Sequence, residues 1–301
     1  MLRKNDFLLI WVVFAAMGVG IGFPAFGRIF APYPLYFMMF QLFFSFLSIN
    51  FLQVFDELRK KGFILFILCL FKLCIIPLFL FFLTQALWPD YAVPVLLLSG
   101  VSTGVMAPFI SELLDASTLL VLMMVVVSSL IAPFSLPALV SLLIGHTIEI
   151  SFLVMLRILA MVIFIPALAA TLVRYLYSAF FENLQKVQFP ASLILIACII
   201  LGVFAKYSSF FLKTPLVVAE TILVAFILSI IYHTVGFFLM WRIKKEDRLS
   251  GAISFAYMNN VLVVAFSSHF FGPLSPTLAT LYMLPFFMMI VPARIVGRLL
   301  K

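Results

Sequence analysis

A chain of 301 residues that is 66% apolar and only 10% charged, with a mean hydropathy of +1.29, is excluded from being a water-soluble globular protein; a water-facing surface of that size needs about 25% charge. Phenylalanine is the outlying residue at 37 copies, as expected where side chains face lipid. The net charge of +8 would point to nucleic acid if it formed one patch, but the basic residues are scattered between apolar stretches, so the expected partner is a lipid bilayer and not a nucleic acid.

A bilayer core of about 30 Å takes ~20 helical residues. Ten apolar stretches meet that length, over residues 6–24, 34–54, 63–83, 92–114, 117–144, 150–173, 188–205, 215–240, 250–268 and 274–293. They predict an all-α polytopic membrane protein with short connections and no separate soluble domain. The first stretch follows Arg3 and Lys4 and has the outline of a signal peptide. It runs through Gly18-Val-Gly-Ile-Gly22 without a small-x-small cleavage site, so it is expected to remain as the first span.

The third stretch carries Lys72 at its centre, within Phe63–Pro77. An ammonium group at that depth costs roughly 2.5–3.5 kcal/mol, so it is expected to face protein or water and to act there. The alternative is a lysine snorkelling to an interface; its distance from both ends of the stretch opposes that. The fourth stretch packs Gly100, Gly104 and Pro108 into one segment with Ser102, Thr103 and Met106, which predicts an interrupted helix. Interrupted helices at membrane depth line cavities, because their freed carbonyls must find partners. Further along, Glu112 could pair with Lys72 or accept a proton, whereas Asp115 is expected to cap the helix that begins at Ser117.

Arg157 and Glu220, near the ends of the sixth and eighth stretches, read as interfacial anchors, and His233 as a hydrogen-bonded core histidine. The ninth stretch holds Ser254, Met258, Asn259 and Asn260, whose amides can supply hydrogen bonds that an opened helix lacks. Cys69, Cys74 and Cys198 lie inside apolar stretches with no metal or disulfide spacing.

With ten spans and both termini cytoplasmic, the inner segments hold Arg3, Lys4, Arg59, Lys60, Lys61, Arg174, Lys186, Arg242, Lys244, Lys245, Arg248, Arg294, Arg298 and Lys301. The outer segments hold only Arg28, Lys206 and Lys213, a strong positive-inside bias. Two halves, 1–145 and 150–301, each carry five spans, and an odd number forces the second to insert inverted. The direct trace of a repeat is an offset: Met106 precedes Pro133 by 27 residues, and Met258 precedes Pro285 by the same 27.

At these residues the chain resembles the bile acid:sodium symporter family, within a broad group that includes arsenite permeases and auxin efflux carriers. The resemblance rests on Arg59-Lys-Lys-Gly62 before a span ending Ile75-Ile-Pro77, on Leu98–Asp115, on Val127–Pro133, and on Lys245-Glu-Asp-Arg248 before Ile253–Asn259. It implies ten helices in an inverted five-helix repeat, a core of spans 3–5 and 8–10, and a panel of spans 1, 2, 6 and 7. Broken helices four and nine would cross at mid-membrane.

The same resemblance implies two sodium sites built from side-chain oxygens, and here the chain departs. The Ser-Asn pair of the fourth helix falls on Ala107-Pro108, and the Ser and Thr of the fifth on Val121 and Val125. The Glu and Gln of the ninth fall on Ser254 and Met258, the Gln of the third on Lys72, and only Asn259 matches outright. Both ion sites read as erased, and Lys72 as a cation standing in for the ion or exchanging a proton.

The expected function is a secondary transporter of a small organic anion or amphipathic acid, with no cofactor and no bound metal. Its expected substrate and coupling residues are Lys72, Ser102, Thr103, Met106, Pro108, Glu112, Ser254, Met258, Asn259 and Asn260. The alternatives are a sodium symporter with relocated ligands and an efflux carrier of the auxin type. A membrane enzyme is disfavoured because no Asp-rich or His-Asp constellation is present, and a channel because no filter sequence is visible. Substrate identity, direction and oligomeric state stay open. The deciding geometry is whether the Lys72 nitrogen reaches Asn259, Ser254 or the opened backbone of 104–108.

Overall fold

The computed structural model describes residues 4–47, 49, 51–145, 151–242 and 245–299; Arg3, His146, Lys244 and Lys301, placed by the sequence in loops and termini, lie outside them. The described residues are mostly helical, with no strand among them, and the sole β-type pairing among them is an isolated antiparallel bridge between Thr103 and Met258.

Among the described residues, six helices are long and apolar enough to cross a membrane: Lys61–Leu87, Thr118–Ile144, Phe152–Leu176, Phe181–Lys206, Pro215–Leu239 and Leu274–Gly297. Leu8–Gly22, Pro34–Leu47 and Asn260–Phe270 are apolar but shorter. Large apolar side chains stand outward along these helices, with Phe63 77% and Leu216 78% exposed. That arrangement suits a hydrocarbon environment and would aggregate in water.

Helix Ser178–Lys206 packs against Lys4–Gly22 and Pro34–Leu47, and Pro34–Leu47 packs in turn against Phe152–Leu176. A second set of contacts joins Pro215–Leu239 to Lys245–Ala256 and to Leu274–Leu281, and joins Leu274–Leu281 to Ala92–Ser99 and Asn260–Phe270. Gly236 and Gly251 allow the closest approach in this set, since a Cβ on either would run into the other's carbonyl oxygen.

Four local expectations differ from the structure. The second helix ends at Leu47 and the next begins at Phe51, so residues 51–54 start a helix rather than finish one, and the charged stretch before Gly62 is helical. The stretch expected at 188–205 begins at Ser178, because an amphipathic turn with Glu182 and Lys186 extends the apolar part. The last stretch keeps its membrane-length helical path but is interrupted by single turn residues at Tyr282 and Met289, which divide it into Leu274–Leu281, Met283–Met288 and Ile290–Leu299. Asp115 does not cap the following helix. With φ 55° it occupies the left-handed position that ends Ala107–Leu113. Its N–H donates to Glu112 O (3.3 Å) and that of Ala116 to Ser111 O (2.8 Å), the bonding of a Schellman terminus. Ser117 instead exchanges bonds with Ser250, whose hydroxyl takes its N–H at 2.8 Å and donates to its carbonyl at 3.2 Å.

Candidate functional site: two interrupted helices and a buried lysine

Ala92–Ser99 stops at Gly100, and the chain turns through 100–106 before Ala107–Leu113 resumes. Pro108 sits in the first turn of that second half, where no N–H is required, so it starts the half-helix instead of kinking a continuous one. Lys245–Ala256 likewise stops before Asn260–Phe270 begins. Asn259 is the N-cap of the latter, its side-chain oxygen accepting Leu262 N at 3.2 Å.

The two openings meet. Gly104 N donates to Tyr257 O (2.8 Å) and Asn259 N to Ser102 O (3.0 Å). The backbones approach so closely that a Cβ on Gly104 would lie 2.5 Å from Met258 O, and only glycine fits there.

An ended helix leaves its last carbonyls without partners, and at this crossing four in succession are paired from three places in the chain: the other opening, the helix of Lys72 and the last span. Ser254 O accepts Thr103 Oγ1 at 2.8 Å. Phe255 O accepts Lys72 Nζ at 3.2 Å. Ala256 O accepts Tyr282 OH at 2.9 Å, and Tyr257 O accepts Gly104 N at 2.8 Å. The ammonium therefore sits at the negative end of a half-helix, where the backbone dipole favours a cation.

Lys72 is 2% exposed and its Nζ also lies 5.6 Å from the centre of the Phe255 ring. A π turn over Phe71–Ile75, with Ile76 N bonded back to Phe71 O, interrupts the α geometry of its helix just before Pro77. Pro77 has no N–H to give, and the widened turn absorbs the missing bond at the lysine's own position.

The remaining expected residues fall as follows. Ser102, Thr103, Ser254, Met258, Asn259 and Asn260 are all buried at the crossing. Met106 is the residue before the second half-helix, and the Pro108 carbonyl accepts Ser111 Oγ at 2.6 Å. Glu112 lies apart: it is exposed near the end of Ala107–Leu113, and Lys72 bonds to a carbonyl instead, so the expected pair is not formed. The lysine nitrogen reaches neither the 104–108 backbone nor the Asn259 side chain; its partner is the opened end of the other half-helix. Ala107, Val121 and Val125 are fully buried and offer no side-chain oxygen. His233 holds Ser229 O through Nδ1 at 2.7 Å, while its Nε2 is buried without a partner, so it is only half satisfied.

Beside the crossing lies a cavity of ≈ 70 Å³ lined by Gly104, Met106, Met258, Asn260, Gln41 and Ser45 among others. It shares Leu9, Gln41, Ser45, Val105, Met106 and Ile196 with a second cavity of ≈ 270 Å³ that extends to Gln185 and Gln188. Sequence reasoning missed Gln41 and Ser45. The signal was available, since Gln41 is a buried amide inside an apolar helix and stands out by the criterion that singled out Lys72. Tyr282 gave no such signal, because a tyrosine in a membrane span usually marks an interface.

A model of the sodium bile acid symporter family matches residues 32–214, more than half of the chain. The chain belongs to the sodium bile acid symporter family. It is thus one of a family of membrane transporters rather than enzymes, and it is an integral multi-pass membrane protein. Lys72 and the first interrupted helix lie within the matched residues, whereas the second interrupted helix follows them. Comparison with curated proteins gives no match.

Proposed function

We propose that this symporter-family protein is a secondary transporter of a small organic anion or amphipathic acid that works by alternating access without sodium. Lys72 fills the role of the coupling cation. The observation that carries the reading is the Lys72 Nζ–Phe255 O bond at 3.2 Å, made by a lysine 2% exposed at the opened end of a half-helix. Unwound carbonyls of this kind coordinate cations in transporters. A sodium ion needs several oxygens at short range, and fully buried Ala107, Val121 and Val125 supply none where the family pattern expects hydroxyls.

The wider frame is ten spans in two inverted halves, 1–145 and 150–301, with spans 1, 2, 6 and 7 as a panel against a core of spans 3–5 and 8–10. Two observations support it. The helices of the panel pack on one another, as do those of the core. Polar contacts also join ends that a ten-span path puts on one side: Lys61 with Asp247 (3.8 Å), Arg294 with Leu113 O (3.2 Å), and Lys206 with Ser268 O (2.7 Å). Ser102, Thr103, Met106, Pro108, Ser254, Met258, Asn259 and Asn260 then form the substrate and coupling region, with Glu112 outside it.

The test is uptake of a panel of radiolabelled carboxylates, cholate included, into proteoliposomes. Uptake is expected to be unchanged when choline replaces sodium, and to fall to background in Lys72→Gln. Uptake driven by an imposed pH gradient would assign proton exchange to the lysine, and indifference to the gradient would make it a fixed charge. Sodium-dependent uptake, or a melting temperature raised by sodium, overturns the reading, as does full activity in Lys72→Gln.

A further inference from the structure

A third cavity lies at the other end of the Pro34–Leu47 helix from the paired chambers, with a volume of ≈ 640 Å³. That is within the range of roughly 300–1,000 Å³ that holds a compact organic ligand. Its walls are built by Leu35 and Met39 on one side and Met161 and Ile165 on the other, with Lys206 and His269 at one edge. Among the described residues no carboxylate lines it. The edge carries cationic capacity and the rest is apolar apart from Tyr36 and Ser268, the inverse of a site for an amine.

Lys206 is held in place for this role. Its Nζ donates to Ser268 O at 2.7 Å, at the end of the Asn260–Phe270 half-helix, and stands 5.1 Å from the centre of the Tyr207 ring. One of three ammonium hydrogens is thereby used, and two remain to donate. The Tyr207 hydroxyl bonds to Ser268 O (3.3 Å) and Phe271 O (3.1 Å), so the half-helix end keeps a donor even when the lysine is drawn away.

We propose that this cavity is a second binding site, a vestibule that takes an amphipathic acid with its anionic head on Lys206 and its apolar body between Met39 and Met161. The occupant is a soluble single-bodied acid and not a membrane phospholipid. The cavity floor is the buried half-helix, at Ala265 and Ser268. Met39 also follows directly on Met38, which lines the chamber at the crossing, so the site borders the seam leading inward. The transporter reading enters only in the choice of probe.

Occupancy is read by cysteine protection in nanodiscs of phosphatidylcholine, in which both faces are accessible. Cys69, Cys74 and Cys198 are replaced by alanine and Met161→Cys is labelled with a maleimide. Cholate below its micellar concentration is expected to slow labelling severalfold, its methyl ester to do so far less, and Lys206→Gln to abolish the protection while Lys206→Arg keeps it. Thermal melting of both variants checks that they fold, and His269→Gln gives a second variant at the same edge, expected to weaken protection. Equal protection in Lys206→Gln or by the methyl ester overturns the proposal, and so does protection by phosphatidylglycerol without cholate, which would make the cavity a lipid site. Labelling reads binding and not uptake. A protein protected by cholate but unable to carry it would keep this inference and lose the transporter reading.

Discussion

Phe255 O could have been capped by any hydroxyl, as Ser254 O and Ala256 O are by Thr103 and Tyr282. A lysine at that position brings a charge into the protein interior, where its nitrogen meets a carbonyl oxygen and an aromatic ring. Burying an ion costs several kcal/mol even after relaxation, whereas leaving one carbonyl unpaired costs about 1–3 kcal/mol. The larger effect decides the sign. Lys72→Met is therefore expected to melt no lower than the parent protein while losing transport, the signature of a residue kept for function at the expense of stability. Thr103→Val removes a neutral donor from Ser254 O and is expected to destabilise by about 1–3 kcal/mol. Thermal melting of the two variants in one detergent decides between them, and a large drop for Lys72→Met would make the lysine a structural cap.

The interrupted helices hold together through backbone, and that sets their tolerance. Gly104 approaches Met258 O so closely that Gly104→Ala must push the two openings apart, at roughly 1–3 kcal/mol for the overpacking. Gly18, exposed in the helix Lys4–Gly22, has open space within 4 Å of where an alanine methyl would stand, so Gly18→Ala is expected to be neutral or to stabilise by about 0.5–1 kcal/mol. Comparing the melting temperatures tests whether the crossing, and not glycine content, carries the constraint. The interruptions were legible in Gly100–Pro108 and Tyr257–Asn260, because proline, glycine and paired amides are poor residues for a continuous apolar helix. The π turn beneath Lys72 was not legible, since Pro77 predicts a disturbed bond but not which carbonyl gives way.

For the whole molecule, the charge pattern is a statement about sides. Lys186 and Lys213 are exposed residues at opposite ends of the region that holds the Ser178–Lys206 helix. In a cysteine-free background, Lys213→Cys is expected to react with an impermeant maleimide added to intact cells, and Lys186→Cys only after permeabilisation. The reverse pattern would invert the molecule, and reaction of both from outside would break the ten-span path.

Apolar length and basic residues between the stretches determined by themselves that this is a multi-pass helical membrane protein, because the cost of backbone and charge in hydrocarbon is local and is written residue by residue. Lys72 was marked as buried for the same reason. Its partner was a different kind of question. Phe255 lies 183 positions away in the chain, and any carbonyl at the crossing would have satisfied the same local rule. Only the packing of two opened helices decided that the lysine meets the end of Lys245–Ala256 rather than Glu112, and that Gln41, Ser45 and Tyr282 share the site, since side-chain neighbours across helices depend on how whole elements cross and not on the order of residues within one.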